Sequence, residues 1–149
     1  MLTWSGITLG VVVLGVVTTV LLSWRRPELG AVDGRLHSCP DTPNCVCSHA
    51  DDEQHGVDPL LVKGGQDPME RLKQVMADVP GATLIDEDDG YLRYECATLL
   101  LRYVDDVEFL LDPQAGVIHV RSASRVGRSD LGANRRRVEE IWQRYDAVK

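Results

Sequence analysis

An α+β fold behind an N-terminal transmembrane helix is the architecture the sequence predicts, and three observations predict it. Residues 4–24 form a run of 21 residues without a charged side chain. Between Met69 and Val79 apolar residues recur at steps of three and four, the spacing of an amphipathic helix. After them come four stretches rich in β-branched and aromatic residues, and a second helical pattern closes the chain. Hairpin-linked strands flanked by helices imply an antiparallel sheet with helices on one face. A chain of 149 residues holds one such domain, which excludes repeat arrays and two-domain enzymes.

The elements follow in order. As a helix, residues 4–24 span about 30 Å, the thickness of a hydrocarbon core. Trp4 and Trp24 stand where an aromatic belt places them, and Arg25, Arg26 and Pro27 end the run. A cleaved signal needs a basic start, a shorter apolar core and a small-residue cleavage site, and these are missing. Residues 1–26 therefore read as a single-pass anchor whose partner is the lipid bilayer. Arg25, Arg26 and Arg35 favour a cytoplasmic domain, whereas a Cys39–Cys45 disulfide would favour an exported one. Residues 27–65, rich in Pro, Gly and Asp, read as a linker and irregular segment. Residues 66–149 read as the α+β domain. Asp67 and Pro68 cap and open its first helix, which Pro80 and Gly81 end. Strands are expected over 82–86, 91–103, 106–111 and 117–126, with Asp89-Gly90 as a two-residue hairpin turn. Leu131, Val138, Ile141, Trp142, Tyr145 and Val148 give the closing amphipathic helix.

Charge is unevenly divided. Residues 51–112 hold 16 acids against 5 bases, and residues 121–149 hold 8 bases against 4 acids, within a formal net charge of −7. An acidic chain with one short basic stretch does not read as a nucleic-acid binder.

Chemistry concentrates on the last two strands. Val107, Phe109 and Leu111 share one face and Asp106 and Glu108 the other, while Ile118 and Val120 oppose His119, Arg121 and Arg125. If the apolar rows share a face, paired positions sum to an odd number, so Arg121 lies across from Asp106 or Glu108. The polar face then holds either a ladder of cross-strand ion pairs or a site for an anionic or polar ligand, with Asp106, Glu108, Arg121, Arg125 and Arg128 as its residues. Ser122 and Ser124 fall on the opposite face from His119, which disfavours a serine–histidine nucleophile. Ser129, Asp130 or Asn134 can cap the last helix. The Cys39, Cys45, Cys47 and His49 spacings match neither structural zinc nor attached haem, so neither metal nor cofactor is expected. Cys39 and Cys45 are candidates for a disulfide, and Cys96 reads as a buried thiol.

Three stretches, Cys39 to Val46, Tyr103 to Phe109 and Arg121 to Arg135, together resemble the family catalogued as domain of unknown function 1499. The resemblance covers about residues 38–145 and implies no activity. Relatives usually carry Ser two residues after the second cysteine, where this chain has Cys47, giving it an additional thiol. The expected function is a membrane-tethered, non-enzymatic binding or scaffold module for an anionic small molecule or a protein partner. The alternative is a small hydrolase or transferase working from the Asp106, Glu108, Arg121 and Arg125 face.

Overall fold

Apolar residues at alternate positions, Leu92, Tyr94 and Cys96, then Val107, Phe109 and Leu111, then Ile118 and Val120, build one face of the sheet and leave Arg93, Glu95, Asp106, Glu108 and Arg121 to the other. The computed structural model describes residues 4–148, and the architecture is α+β. Helix α1 spans Trp4–Ser23, followed by a small hairpin of β1 (Ala31–Val32) and β2 (Arg35–Leu36) and by the short strands β3 (Cys45–Cys47) and β4 (Leu60–Leu61). Helix α2 (Pro68–Ala77) precedes β5 (Ala82–Asp88), β6 (Tyr91–Ala97), β7 (Val104–Asp112) and β8 (Val117–Ser124), and α3 (Ala133–Ala147) closes the chain. The antiparallel sheet runs β3-β8-β7-β6-β5, with β4 also paired to β8. Residues of the segment 27–65 thus enter the sheet: Cys45–Cys47 lie opposite Ala123 to Arg121, and Leu60 opposite Ile118.

Helices α2 and α3 pack on one face. Leu72, Val75 and Met76 of α2 and Val138, Ile141 and Tyr145 of α3 meet Leu92, Tyr94, Val107, Phe109, Ile118 and Val120 in one buried cluster. Burying a side chain of this size contributes about 1.5–3 kcal/mol. The Asp67 carboxylate caps α2 by accepting from the amides of Met69 and Glu70 at 2.9 Å each, while Asp130 accepts from the Asn134 amide at the start of α3. Gly90 takes a positive φ of 72° in the β5–β6 turn, the conformation its hairpin demands. Asp112 closes the β7–β8 turn by accepting from the amides of Gln114 and Ala115.

The transmembrane helix, and with it the single-pass membrane location, is corrected by the structure. Residues 4–23 do form α1, but among the described residues no helix is long and apolar enough to cross a membrane. The end of α1 is committed to the domain instead. Thr19 Oγ1 lies 2.9 Å from the Tyr103 hydroxyl, Ser23 is buried, and the Trp24 indole donates to the Arg102 carbonyl at 3.0 Å. The first three residues of the expected anchor lie outside the described residues.

Candidate functional site

The second sheet face is polar, and its rows follow from the register. Arg93, Glu108, Arg121 and Cys47 stand side by side across β6, β7, β8 and β3, and the next row holds Glu95, Asp106, Ala123 and Cys45. Every β7–β8 pair sums to an odd number, which places Glu108 opposite Arg121 and leaves Asp106 to reach past the strand end to Arg125. Over these rows runs the segment 24–39, a strap formed by the β1–β2 hairpin and its flanks. The Gly30 amide donates to Glu108 Oε1 at 3.1 Å, and Leu36 packs with Tyr91 and Cys47.

Covered in this way, the charged groups pair completely with one another, apart from one atom. Arg125 grips Asp106 with two bonds, Nε to Oδ2 at 2.6 Å and Nη2 to Oδ1 at 2.7 Å, and donates to Glu95 at 2.7 Å and to the Ser23 carbonyl at 3.1 Å. Arg93 donates to Asp106 from the other side, and Arg26 holds Glu95 at 2.7 Å. Three guanidiniums thus enclose two carboxylates. Glu108, fully buried, accepts from Gly30, from the Tyr91 hydroxyl at 2.9 Å and from Arg121 at 3.1 Å. The Nε of Arg121 is buried with no hydrogen-bond partner. Burial by itself pushes the Glu95 carboxyl up, but bonds from Arg26 and Arg125 outweigh it and hold the group below the usual carboxylate range. Burial and the Glu108 charge push the Tyr91 phenol well above its ordinary value.

The sequence-derived residues therefore separate. Asp106, Glu108 and Arg121 are interior, at 2 %, 0 % and 8 % exposure. Arg125 lies between the interior and a groove of about 720 Å³ whose wall also carries Trp24, Arg26, Glu95 and Arg102. Arg128 is exposed and forms no hydrogen bond or ion pair among the described residues. Cys39 and Cys45 are joined by a disulfide, and Cys47 and Cys96 are buried free thiols. Arg93 and Glu95 were absent from the sequence-derived set, although they alternate with Leu92 and Tyr94 and so belong to the same polar face. Arg26 has no such signal, because it reaches the face from an irregular segment.

A second polar web ties together the three stretches that carry the family resemblance. Asn134, fully buried, donates to the Asn44 carbonyl, Ser124 Oγ and Asp130, and accepts from Ser122 and Arg137, while Arg137 donates to Asp105 at 2.5 Å. This explains why hydroxyls occupy the helix-side face of β8. Beside the web lies a cavity of about 290 Å³ bordered by Tyr103, Asp105, Ser124, Ser129 and Asp130. His119 stacks on His49 with ring centroids 3.9 Å apart, and its Nδ1 lies 3.1 Å from Ser48 Oγ. Burial, helped by His119 and Arg35, lowers His49 to about 4. Among the described residues no three His, Cys, Asp or Glu side chains are grouped to hold a metal.

Comparison with known proteins finds one family model, described as a protein of unknown function (DUF1499), matching residues 35–144. No curated protein and no solved structure matches the chain.

Proposed function

Since the chain belongs to the DUF1499 family, whose description assigns no activity, the site itself must supply a functional reading, and we propose a non-enzymatic binding module for a small anionic group. One observation carries this reading. The groove of about 720 Å³ between the end of α1 and the β5–β6 edge is lined by Arg26, Arg102 and the largely buried, fully paired Arg125, with Glu95 as its one carboxylate. The Arg26 side chain is 60 % exposed and Arg102 lies on the surface with no side-chain partner among the described residues, so positive charge is left over on the groove wall. Planar guanidinium forks suit carboxylate and phosphate oxygens. Asp106 and Glu108 serve as interior anchors that hold Arg125 and Arg121 in place. Their burial weighs against the hydrolase or transferase reading, which needs a carboxylate within reach of substrate.

Thermal unfolding in the presence of phosphate, sulfate or citrate tests the reading. A ligand at about one hundred times its Kd adds about 2.7 kcal/mol, which for a domain of this size raises Tm by several degrees. Arg102→Ala should remove the rise without changing the Tm of the unliganded protein, since it takes away an exposed, unpaired charge. A rise that survives Arg102→Ala, or no rise with any of the three anions, would show that the groove is not the binding site.

A further inference from the structure

We propose that Cys39, Cys45 and Cys47 form a thiol–disulfide exchange site in which the Cys47 sulfur displaces Cys45 from its bond to Cys39. Cys45 opens β3 and Cys39 ends the strap, their Cα atoms 5.6 Å apart. Cys45 and Cys47 stand two residues apart on an extended strand, so both side chains project to the strap-covered face, opposite Ala123 and Arg121 respectively. Cys39 packs against the small cluster that contains Cys47, Leu36 and Tyr91. The Cys47 thiol is directed at the strap, donating to the His37 carbonyl at 3.9 Å, two residues before Cys39, and accepting from the His49 amide at 3.4 Å. It also borders a cavity of about 210 Å³ with Arg35, Ser38 and His49. A third sulfur on β3 therefore faces the strap that carries Cys39.

Geometry also selects which sulfur is attacked. A bond between Cys45 and Cys47 would link parallel side chains with Cα atoms about 6.6 Å apart, near the upper limit for a disulfide, whereas Cys39 converges on both from the strap. In the step, Cys47 gives up its proton to water entering the cavity that it borders, and its thiolate attacks Cys39 Sγ. The Cys39–Cys45 bond breaks as the Cys39–Cys47 bond forms, and Cys45 leaves as a thiolate that takes up a proton. One disulfide and one thiol stand on each side, so no oxidant or reductant is consumed. Burial raises the Cys47 thiol above its ordinary value; the His49 amide, Arg121 and Arg35 act in the opposite sense, and Glu108 adds to burial. Exchange is accordingly slow at neutral pH and accelerates as pH rises. Its result is a strap with two alternative anchor points, about 6.6 Å apart along β3.

The experiment uses the full chain. Protein is held at pH 7 and at pH 9, quenched in acid, and treated with one alkylating reagent, then reduced and treated with a second; tandem fragmentation assigns each cysteine. The expected result is a population in which Cys45 carries the first label while Cys39 and Cys47 carry the second, and it appears faster at pH 9. If Cys45 never carries the first label at either pH, the proposal is overturned. A second variant, Cys45→Ser oxidised with glutathione disulfide, should yield a Cys39–Cys47 bond with Cys96 still free. A Cys45→Ser protein with the wild-type circular dichroism spectrum in which Cys39 and Cys47 both stay alkylatable also overturns it. Should that variant fail to fold, the wild-type measurement decides alone.

Discussion

At the scale of single residues, Arg125 shows how burial changes the meaning of a charge pair. On an exposed strand its bonds to Asp106 and Glu95 would each contribute about 0–1 kcal/mol. Here its side chain is 4 % exposed and Asp106 is 2 % exposed, so Arg125→Ala leaves a carboxylate in the interior that has lost one of its two partners. The expected cost is about 3–5 kcal/mol by urea denaturation. Arg125→Lys should recover little, because an ammonium cannot reproduce the two-pronged grip. His49 gives a second expectation. Its folded value of about 4 lies below the unfolded value of about 6.5, so the unfolded chain binds more protons between them, and stability should fall as pH drops through that interval. Glu95, held low by Arg26 and Arg125, acts in the same direction at the acidic end, where protonation removes its contribution. Denaturation midpoints measured from pH 7 to 4 should show the decline, with a shallower slope for His49→Gln; an unchanged slope in that variant would place the acid sensitivity elsewhere.

At the scale of elements, the positions where backbone meets backbone decide what a turn tolerates. Gly81 joins α2 to β5 with φ of 74°, and a Cβ there would lie 2.3 Å from the Ala97 carbonyl oxygen. Gly116 has a similar φ of 67° but open space around it. Gly116→Ala should therefore cost about 1–2 kcal/mol, the penalty of a left-handed alanine, and Gly81→Ala distinctly more, because the β5–β6 ladder must also move. Thermal unfolding of the two variants side by side checks the difference. The same elements show what was legible in the sequence. Helix α2 and β5 to β8 were readable because periodicity, capping residues and turn residues agreed with one another over seven residues or more. Strands β3 and β4, of three and two residues, offer too few alternations to register as strands, and only their pairing to β8 defines them. The parity of the β7–β8 register followed from the pattern of burial. The covering of the polar face did not, because the strap has no periodicity and its contacts are long-range. At the end of α1 the contacts of Thr19, Ser23 and Trp24 with Tyr103, Arg125 and Arg102 are long-range, so the sequence pattern carries no sign of them.

At the scale of the whole molecule, two covers hold one sheet: apolar helices on one face and a disulfide-pinned strap on the other. The Cys39–Cys45 bond closes a short loop, worth about 2 kcal/mol on the chain-entropy model. Cys39→Ala should lower stability by roughly that amount, and hydrogen exchange should speed at the amides of Gly30 and Leu36, which donate to Glu108 and His49. Exchange rates equal to wild type at both amides would mean that the strap is held by its other contacts. The sheet order has a further consequence. Among the described residues strand β5 pairs only with β6, so one rim of the sheet carries backbone groups with no described strand beyond them. Such a rim is where a second copy of the chain could add itself, and repetition of that step makes fibres. Asp86 and Asp88 set two carboxylates along this rim, with Glu87 between them paired to Lys73, and the register shift between Leu84 and Asp86 breaks its flatness. Two copies approaching rim to rim meet like charge on an uneven surface. The acidity of this half of the chain thereby acts as a guard of colloidal stability, strongest at neutral pH and weakened by the protonation or heavy salt that would neutralise it.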